Sequence, residues 1–153
     1  MTPDELSDWL WSFAARIGKV VDALSDTRLG RHVSGQLVRS GTAAPPNYDE
    51  ARVGESRADF AHKTDVALKE LVETRGWLRF IILAQLLPAR RIEALVEECD
   101  QLCRILRKSV STAKAKPKKC LPIPLPMTNP QFSILNEPSC RFHGHCGSEA
   151  SPH

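Results

Sequence analysis

Four successive segments of this chain repeat apolar residues at three- and four-residue spacing, and that period selects helices over strands. The first stripe is Leu6, Trp9, Leu10, Phe13, Ile17, Val20, Val21 and Leu24, with Trp11 off it. The second, weaker one is Leu29, Val33, Gln36 or Leu37, and Ser40. The third is Phe60, Thr64, Ala67, Leu68, Leu71, Leu78, Ile81, Ile82 and Gln85. The fourth and cleanest is Ile92, Leu95, Val96, Cys99, Leu102, Cys103, Leu106 and Val110. No segment reads as a strand, which excludes a parallel sheet. Short connections make consecutive helices antiparallel neighbours. The expected fold is therefore all-α, an antiparallel up-down-up-down four-helix bundle over residues 1–113. Nine aromatics and two methionines leave a core of mostly Leu, Val, Ile and Ala.

Punctuation places the helix ends. Thr2-Pro3-Asp4-Glu5 is a capping box with proline at the first helical position. Ser25-Asp26-Thr27 supplies the second N-cap. Gly30 and Gly35 lower helix propensity and permit close helix–helix approach. Pro45-Pro46 removes two N–H donors, so a break is expected near 41–46, followed by a short helical piece over 47–53 that Gly54 ends. Ser56 and Asp59 form another capping box, opening a helix of about 30 residues and about 45 Å that Pro88 stops. The fourth helix follows almost at once, with Arg104, Arg107 and Lys108 in its last turn, facing the helix dipole.

From residue 114 the character changes. Seven of the eleven prolines fall in the last 37 residues, and Leu121–Pro126 alternates proline with aliphatics, a spacing that no helix or strand survives. Residues 114–153 are expected to be a basic linker and a disordered Pro-rich tail. Charge divides the same way: residues 1–113 hold 16 basic and 16 acidic residues, and the excess of +3 comes from the tail. The N-terminus has neither a basic region nor an apolar core of a secretory signal. The longest apolar run, Phe80–Leu87, is interrupted by Gln85 and falls well short of the roughly 20 residues a membrane span needs. With an odd five cysteines, the expectation is a cytoplasmic protein with reduced thiols.

Between Val38 and Leu78 lies an ordered set of short motifs. Arg39-Ser40-Gly41-Thr42 puts an Arg before a small-residue turn, and Asn47-Tyr48-Asp49-Glu50-Ala51 is an Asn-x-x-Glu-Ala motif. Ser56 is followed by Asp59-Phe60, and Lys69-Glu70-Leu71-Val72-Glu73-Thr74-Arg75-Gly76-Trp77-Leu78 closes the set. In order and spacing this resembles a small bacterial family of four-helix bundle proteins. That family includes proteins encoded by intervening sequences in 23S rRNA genes and the accessory protein of diversity-generating retroelements. The resemblance spans residues 10–113, densest over 36–83, and departs from the family pattern at Pro45-Pro46. It implies a pentameric ring that contacts a reverse transcriptase and nucleic acid through a basic surface.

Several residue groups are candidates for chemistry. Arg39, Asn47, Glu50, Lys69, Glu70 and Glu73 could do acid–base work, but that needs a pocket and shifted pKa values. The bland reading is an inter-helix polar network, with Arg39 pairing glutamates of the third helix and setting its register, so that loss of Glu73 lowers the melting temperature substantially. His32 and His62 stand alone and read as surface or packing residues. Cys99 and Cys103, four apart within the apolar stripe, read as small core residues rather than half of a metal site. Cys140, His143, His145 and Cys146, with Cys120 upstream, could take zinc, but the cluster is more compact than a knuckle. No cofactor, metal or small-molecule substrate is expected.

Arg104, Arg107, Lys108, Lys114, Lys116, Lys118 and Lys119 are the strongest functional candidate, able to neutralise several phosphates. The helix dipole and an ordinary solvated linker explain the same residues without a ligand. No aromatics interleave, so contact would be electrostatic and sequence-blind. Trp9, Trp11 and Trp77 are large for so small a core, which points at least one toward a subunit interface. The expected function is a non-enzymatic homo-oligomeric bundle, with RNA, DNA or a reverse transcriptase as partner. The alternative is a protein–protein interaction module that binds no nucleic acid.

Overall fold

The computed structural model describes residues 1–115, which form four α-helices and one 3-10 turn, with no strand among the described residues. Helix α1 spans Pro3–Ala23, α2 Arg28–Arg52, α3 Arg57–Leu83 and α4 Glu93–Lys114, and the 3-10 turn Ala89–Arg91 precedes α4. The connections are short, and α2 packs closely on both α1 and α3, as α3 does on α4. The chain is an up-down-up-down four-helix bundle. Its fourth seam, between α1 and α4, has few close backbone approaches. Side chains bridge it instead: Glu98 on α4 accepts hydrogen bonds from Trp9 and Arg16 on α1.

Each of the first three helices starts at the cap its sequence supplies. The Thr2 hydroxyl accepts from the Glu5 N–H at 3.2 Å, and the Glu5 carboxylate accepts from the Thr2 N–H at 2.7 Å. Thr27 accepts from Gly30 N–H at 3.0 Å and Ser56 from Asp59 N–H at 3.1 Å. Each such cap is worth about 1 kcal/mol. Asp59 does not complete a reciprocal box; its carboxylate turns to Lys63, 3.8 Å away. The core fills with Leu10, Phe13, Ile17, Val33, Leu37, Leu71, Leu78, Ile81, Ile92, Leu102 and Leu106, all essentially inaccessible. Leu29, expected on the α2 stripe, is exposed, and Gly30 takes the buried place beside Val33 and Leu37.

Three boundaries differ from the sequence expectation. Helix α2 runs unbroken through Pro45 and Pro46. Proline inside a helix costs about 3 kcal/mol or more. Here Ala44, Pro45, Tyr48 and Ala51 are all buried, so the segment expected to break is the part of α2 most committed to packing. Tertiary burial overrides local propensity. Secondly, α3 stops at Leu83, five residues before Pro88. Gln85 adopts a left-handed conformation, φ 53°, and the N–H groups of Gln85 and Leu86 return to the carbonyls of Ile82 and Ile81. This doubly bonded stop normally employs glycine. Thirdly, α4 continues to Lys114, so Arg104, Arg107 and Lys108 lie inward of its last turn. The α4 C-terminal carbonyls are served by Arg57, which donates to Thr112 at 3.1 Å and Ala115 at 3.4 Å.

Glycine placement also differs. A Cβ on Gly35 would meet open space, and one on Gly30 would strike the Ser25 carbonyl of the preceding turn, not a neighbouring helix. Close helix–helix approach occurs at Gly41, where a Cβ would lie 2.6 Å from Cγ2 of the fully buried Ile17 on α1. Lys114, expected to open the tail, is instead the last residue of α4, and the rest of the expected tail from residue 116, with its prolines, Lys116, Lys118, Lys119 and Cys/His cluster, lies outside the described residues.

The two glycines yield opposite expectations. Gly41→Ala forces Ile17 out of its position and should destabilise the fold by about 1–3 kcal/mol. Gly35→Ala adds helix propensity at no steric cost and should stabilise it by up to about 1 kcal/mol. Urea denaturation of both variants checks the assignment; equal effects would refute it.

Candidate nucleic-acid interface

Arg104, Arg107 and Lys108 sit at i, i+3 and i+4 on α4 and so share one face, with Lys114 further along the helix. All four are exposed, and none forms an ion pair among the described residues. Their position inward of the last turn removes the dipole as the reason for Arg104 and Arg107, because that field fades within one turn. Lys116, Lys118 and Lys119 lie outside the described residues.

The structure extends the basic surface onto α3. Arg75 donates to Asp100 of α4 at 2.5 Å, and Arg79 approaches the same carboxylate at 3.7 Å. The Arg75 hydrogen bond, with the charges of Arg75, Arg79 and Arg104, holds the Asp100 carboxyl below the usual range despite partial burial. One carboxylate thus faces three guanidinium groups, and positive charge remains on this side of the α3–α4 seam. Arg75 and Arg79 were not singled out from sequence. Their i, i+4 spacing off the apolar stripe was the available signal.

The expected polar network assembles only in part. Arg39 on α2 bonds Glu73 on α3 and lies 3.7 Å from Glu70. Glu73 also accepts from the Trp77 indole at 3.3 Å, and His32 packs edge-on against that indole with centroids 5.8 Å apart. Asn47, Glu50 and Lys69 do not join. Asn47 bonds the Ala43 carbonyl of its own helix at 2.7 Å. Glu50 reaches Lys63 at 4.0 Å, and Lys69 reaches Asp65 at 3.6 Å. The Arg39 side chain is 55% exposed, so the Arg39–Glu73 pair stays in high dielectric. It therefore supports the α2–α3 seam modestly rather than setting it. His62 is isolated on the surface.

Cys99 and Cys103 are both buried, and the Cys99 thiol donates to the Leu71 carbonyl at 3.2 Å. The hydrogen bond with Cys103, and then burial, push the Cys99 thiol well above its ordinary range. Among the described residues no three His, Cys, Asp or Glu side chains converge as a metal site would require. The Cys140–Cys146 cluster lies outside them. No described helix is long and apolar enough to cross a membrane.

A second apolar stripe on α3 was also missed. Val72, Phe80 and Leu83 are 37, 38 and 81% exposed. With Gly76 they run i, i+4, i+8, i+11 along the helix, beside the partly buried Trp77, whose ring meets Phe80 edge-on at 5.9 Å. Core and outer stripes on one helix blur its amphipathic signal, so spacing alone reveals only the inward one.

A double-mutant cycle of Arg39→Met and Glu73→Gln should return a coupling of about 0.2–1 kcal/mol by denaturant titration. A coupling several times larger would restore the register-setting role.

Among proteins of known structure, the chain is similar to one described as a protein of unknown function from the S23 ribosomal protein family of Bacteroides thetaiotaomicron. The two share 31% identity, with a TM-score of 0.64, over 72% of this chain and 99% of that one. No curated protein matches the chain. The profile of the 23S rRNA-intervening sequence protein family matches residues 11–108, which takes in α2, α3 and most of α1 and α4. With its motifs, its helices and this match in agreement, the chain belongs to the 23S rRNA-intervening sequence protein family.

Proposed function

We propose that this protein is a non-enzymatic, cytoplasmic, homo-oligomeric adaptor that binds RNA or another nucleic acid electrostatically. The observation that carries this reading is the exposed set Arg104, Arg107, Lys108 and Lys114 on α4, free of carboxylate partners among the described residues and flanked by Arg75 and Arg79. Such a face neutralises backbone phosphates without reading bases. The family's name, tied to 23S rRNA, fits an RNA partner. A reverse transcriptase is the protein partner that the retroelement resemblance adds.

Self-association rests on the outer stripe of α3. A row of Val72, Gly76, Phe80 and Leu83 is more apolar than a free helix face needs to be, and aromatic residues are enriched where surfaces meet. The same stripe favours the second reading, a purely protein-binding module, if nucleic acid is not bound.

Fluorescence anisotropy of labelled RNA against the full chain over a salt series tests the first part. Binding should show a log–log salt slope of about −3, as four phosphate contacts require. Arg104→Glu/Arg107→Glu/Lys108→Glu should abolish it, and unchanged binding by that variant would overturn the α4 interface. Sedimentation velocity tests the second part. The wild type should sediment as an oligomer, five subunits by resemblance, and Phe80→Glu/Leu83→Glu as a monomer. A monomeric wild type would remove the assembly.

A further inference from the structure

The loosely packed α1–α4 seam is closed at its middle by the Trp9–Glu98–Arg16 bridge, and beyond that bridge it opens into a cleft of about 320 Å³. One wall is the last two turns of α1, with Val20 and Ala23. The other is the start of α4, with Ile92 and Leu95, and Leu87 of the α3–α4 connection completes the floor. Ile92 is fully buried, and Val20 and Leu95 nearly so, so these three are the edge of the packed core, and the apolar surface open to the cleft comes mainly from Ala23, Leu87 and Ala94.

The rim has one sign of charge. Arg16, Lys19 and Arg91 line the cleft, and no carboxylate does. Arg16 is held by Glu98, but Lys19 and Arg91 form no ion pair among the described residues. Helix α4 also begins here at Ile92 without a side-chain cap; Glu93 lies in its first turn but does not line the cleft, so the N–H groups of the helix start add to the two free cations on this side. An apolar floor under a cationic rim is complementary to a molecule with an apolar body and one anionic end.

Size narrows the occupant. The volume lies at the lower end of small-molecule sites and corresponds to on the order of ten water-sized groups. A partner helix would need anchors at i, i+3, i+4 and i+7 along a continuous groove, and the Trp9–Glu98–Arg16 bridge interrupts this one. A nucleic-acid backbone has nothing apolar to cover Val20, Leu87 and Leu95. We propose that this cleft binds a medium-chain amphipathic carboxylate, its alkyl body on Val20, Ala23, Leu87 and Leu95 and its carboxylate against Lys19, Arg91 and the start of α4. This site is separate from the basic α4 face and does not depend on it.

Isothermal titration calorimetry of the full chain with n-decanoate, kept below its micellar range, tests the proposal. 1-Decanol and decyltrimethylammonium serve as neutral and cationic probes of the same length. Decanoate should bind saturably at one per chain, and both other probes at least tenfold more weakly. Lys19→Glu/Arg91→Glu alters two exposed side chains and should weaken decanoate at least tenfold, while Ala94→Trp, which fills the cleft from an exposed position, should abolish binding. Circular dichroism verifies that both variants fold. Non-saturable uptake, decanol binding as tightly as decanoate, or undiminished binding by either variant would overturn the site.

Discussion

The contact on which the bundle depends is made by two small adjacent residues near the middle of α2. Gly41 admits Ile17 of α1 where any side chain would collide with it. Ser40, one residue earlier, turns its hydroxyl to Thr74 of α3 at 3.1 Å, and both hydroxyls are fully buried. Three helices therefore meet at one level. Ser40 donates to the Gln36 carbonyl of its own helix, and Thr74 has one proton to place on either Ser40 or the Glu70 carbonyl of its own helix, so both buried hydroxyls are satisfied. Arg39 then reaches out of the same turn to Glu73 and Glu70 at the rim. The motif Arg-Ser-Gly-Thr is a helix–helix contact surface, not a turn.

That contact accounts for the persistence of α2 past its prolines. The helix is gripped on both sides at Ser40 and Gly41, and its next turns bury Ala44, Pro45, Tyr48 and Ala51. A break at 41–46 would forfeit this burial, which opposes the loss of two backbone hydrogen bonds. The same reasoning explains the cost accepted at Gln85. Its left-handed conformation ends α3 early enough for Leu86 and Leu87 to turn back onto the core and for Ile92 to start α4 fully buried.

How much could be read from the chain follows from what is local. The caps at Thr2, Thr27 and Ser56 and the stripe from Ile92 to Val110 depend on residues within a turn or two of one another, so spacing revealed them. The continuity of α2 does not: proline is locally a breaker, and only the partners at Ile17 and Thr74 decide otherwise. Likewise Gly35 and Gly41 are indistinguishable in sequence, yet one faces open space and the other a buried side chain. In the candidate site, Arg104, Arg107 and Lys108 were legible as a cluster, whereas Arg75 and Arg79 join them only because α3 lies beside α4. Asn47, Glu50 and Lys69 looked equivalent to Glu73 but point to partners in other directions.

Charge is the last property that the fold rearranges. The 16 basic and 16 acidic residues of 1–113 balance, and neutrality argues against a nucleic-acid surface as long as the charges are taken to be mixed. They are not mixed along α4. Glu93, Glu97, Glu98 and Asp100 occupy its first half, and Arg104, Arg107, Lys108 and Lys114 its second. Two of these four carboxylates are engaged locally, Glu98 by Arg16 and Trp9 and Asp100 by Arg75 and Arg79, while Glu93 and Glu97 stay exposed at the other end of the helix. The basic half has no such partners among the described residues. Segregation of charge along α4, with Glu98 and Asp100 drawn into seams, leaves a positive face on a neutral bundle, and within about a Debye length of that face a polyanion meets the local charge rather than the net one.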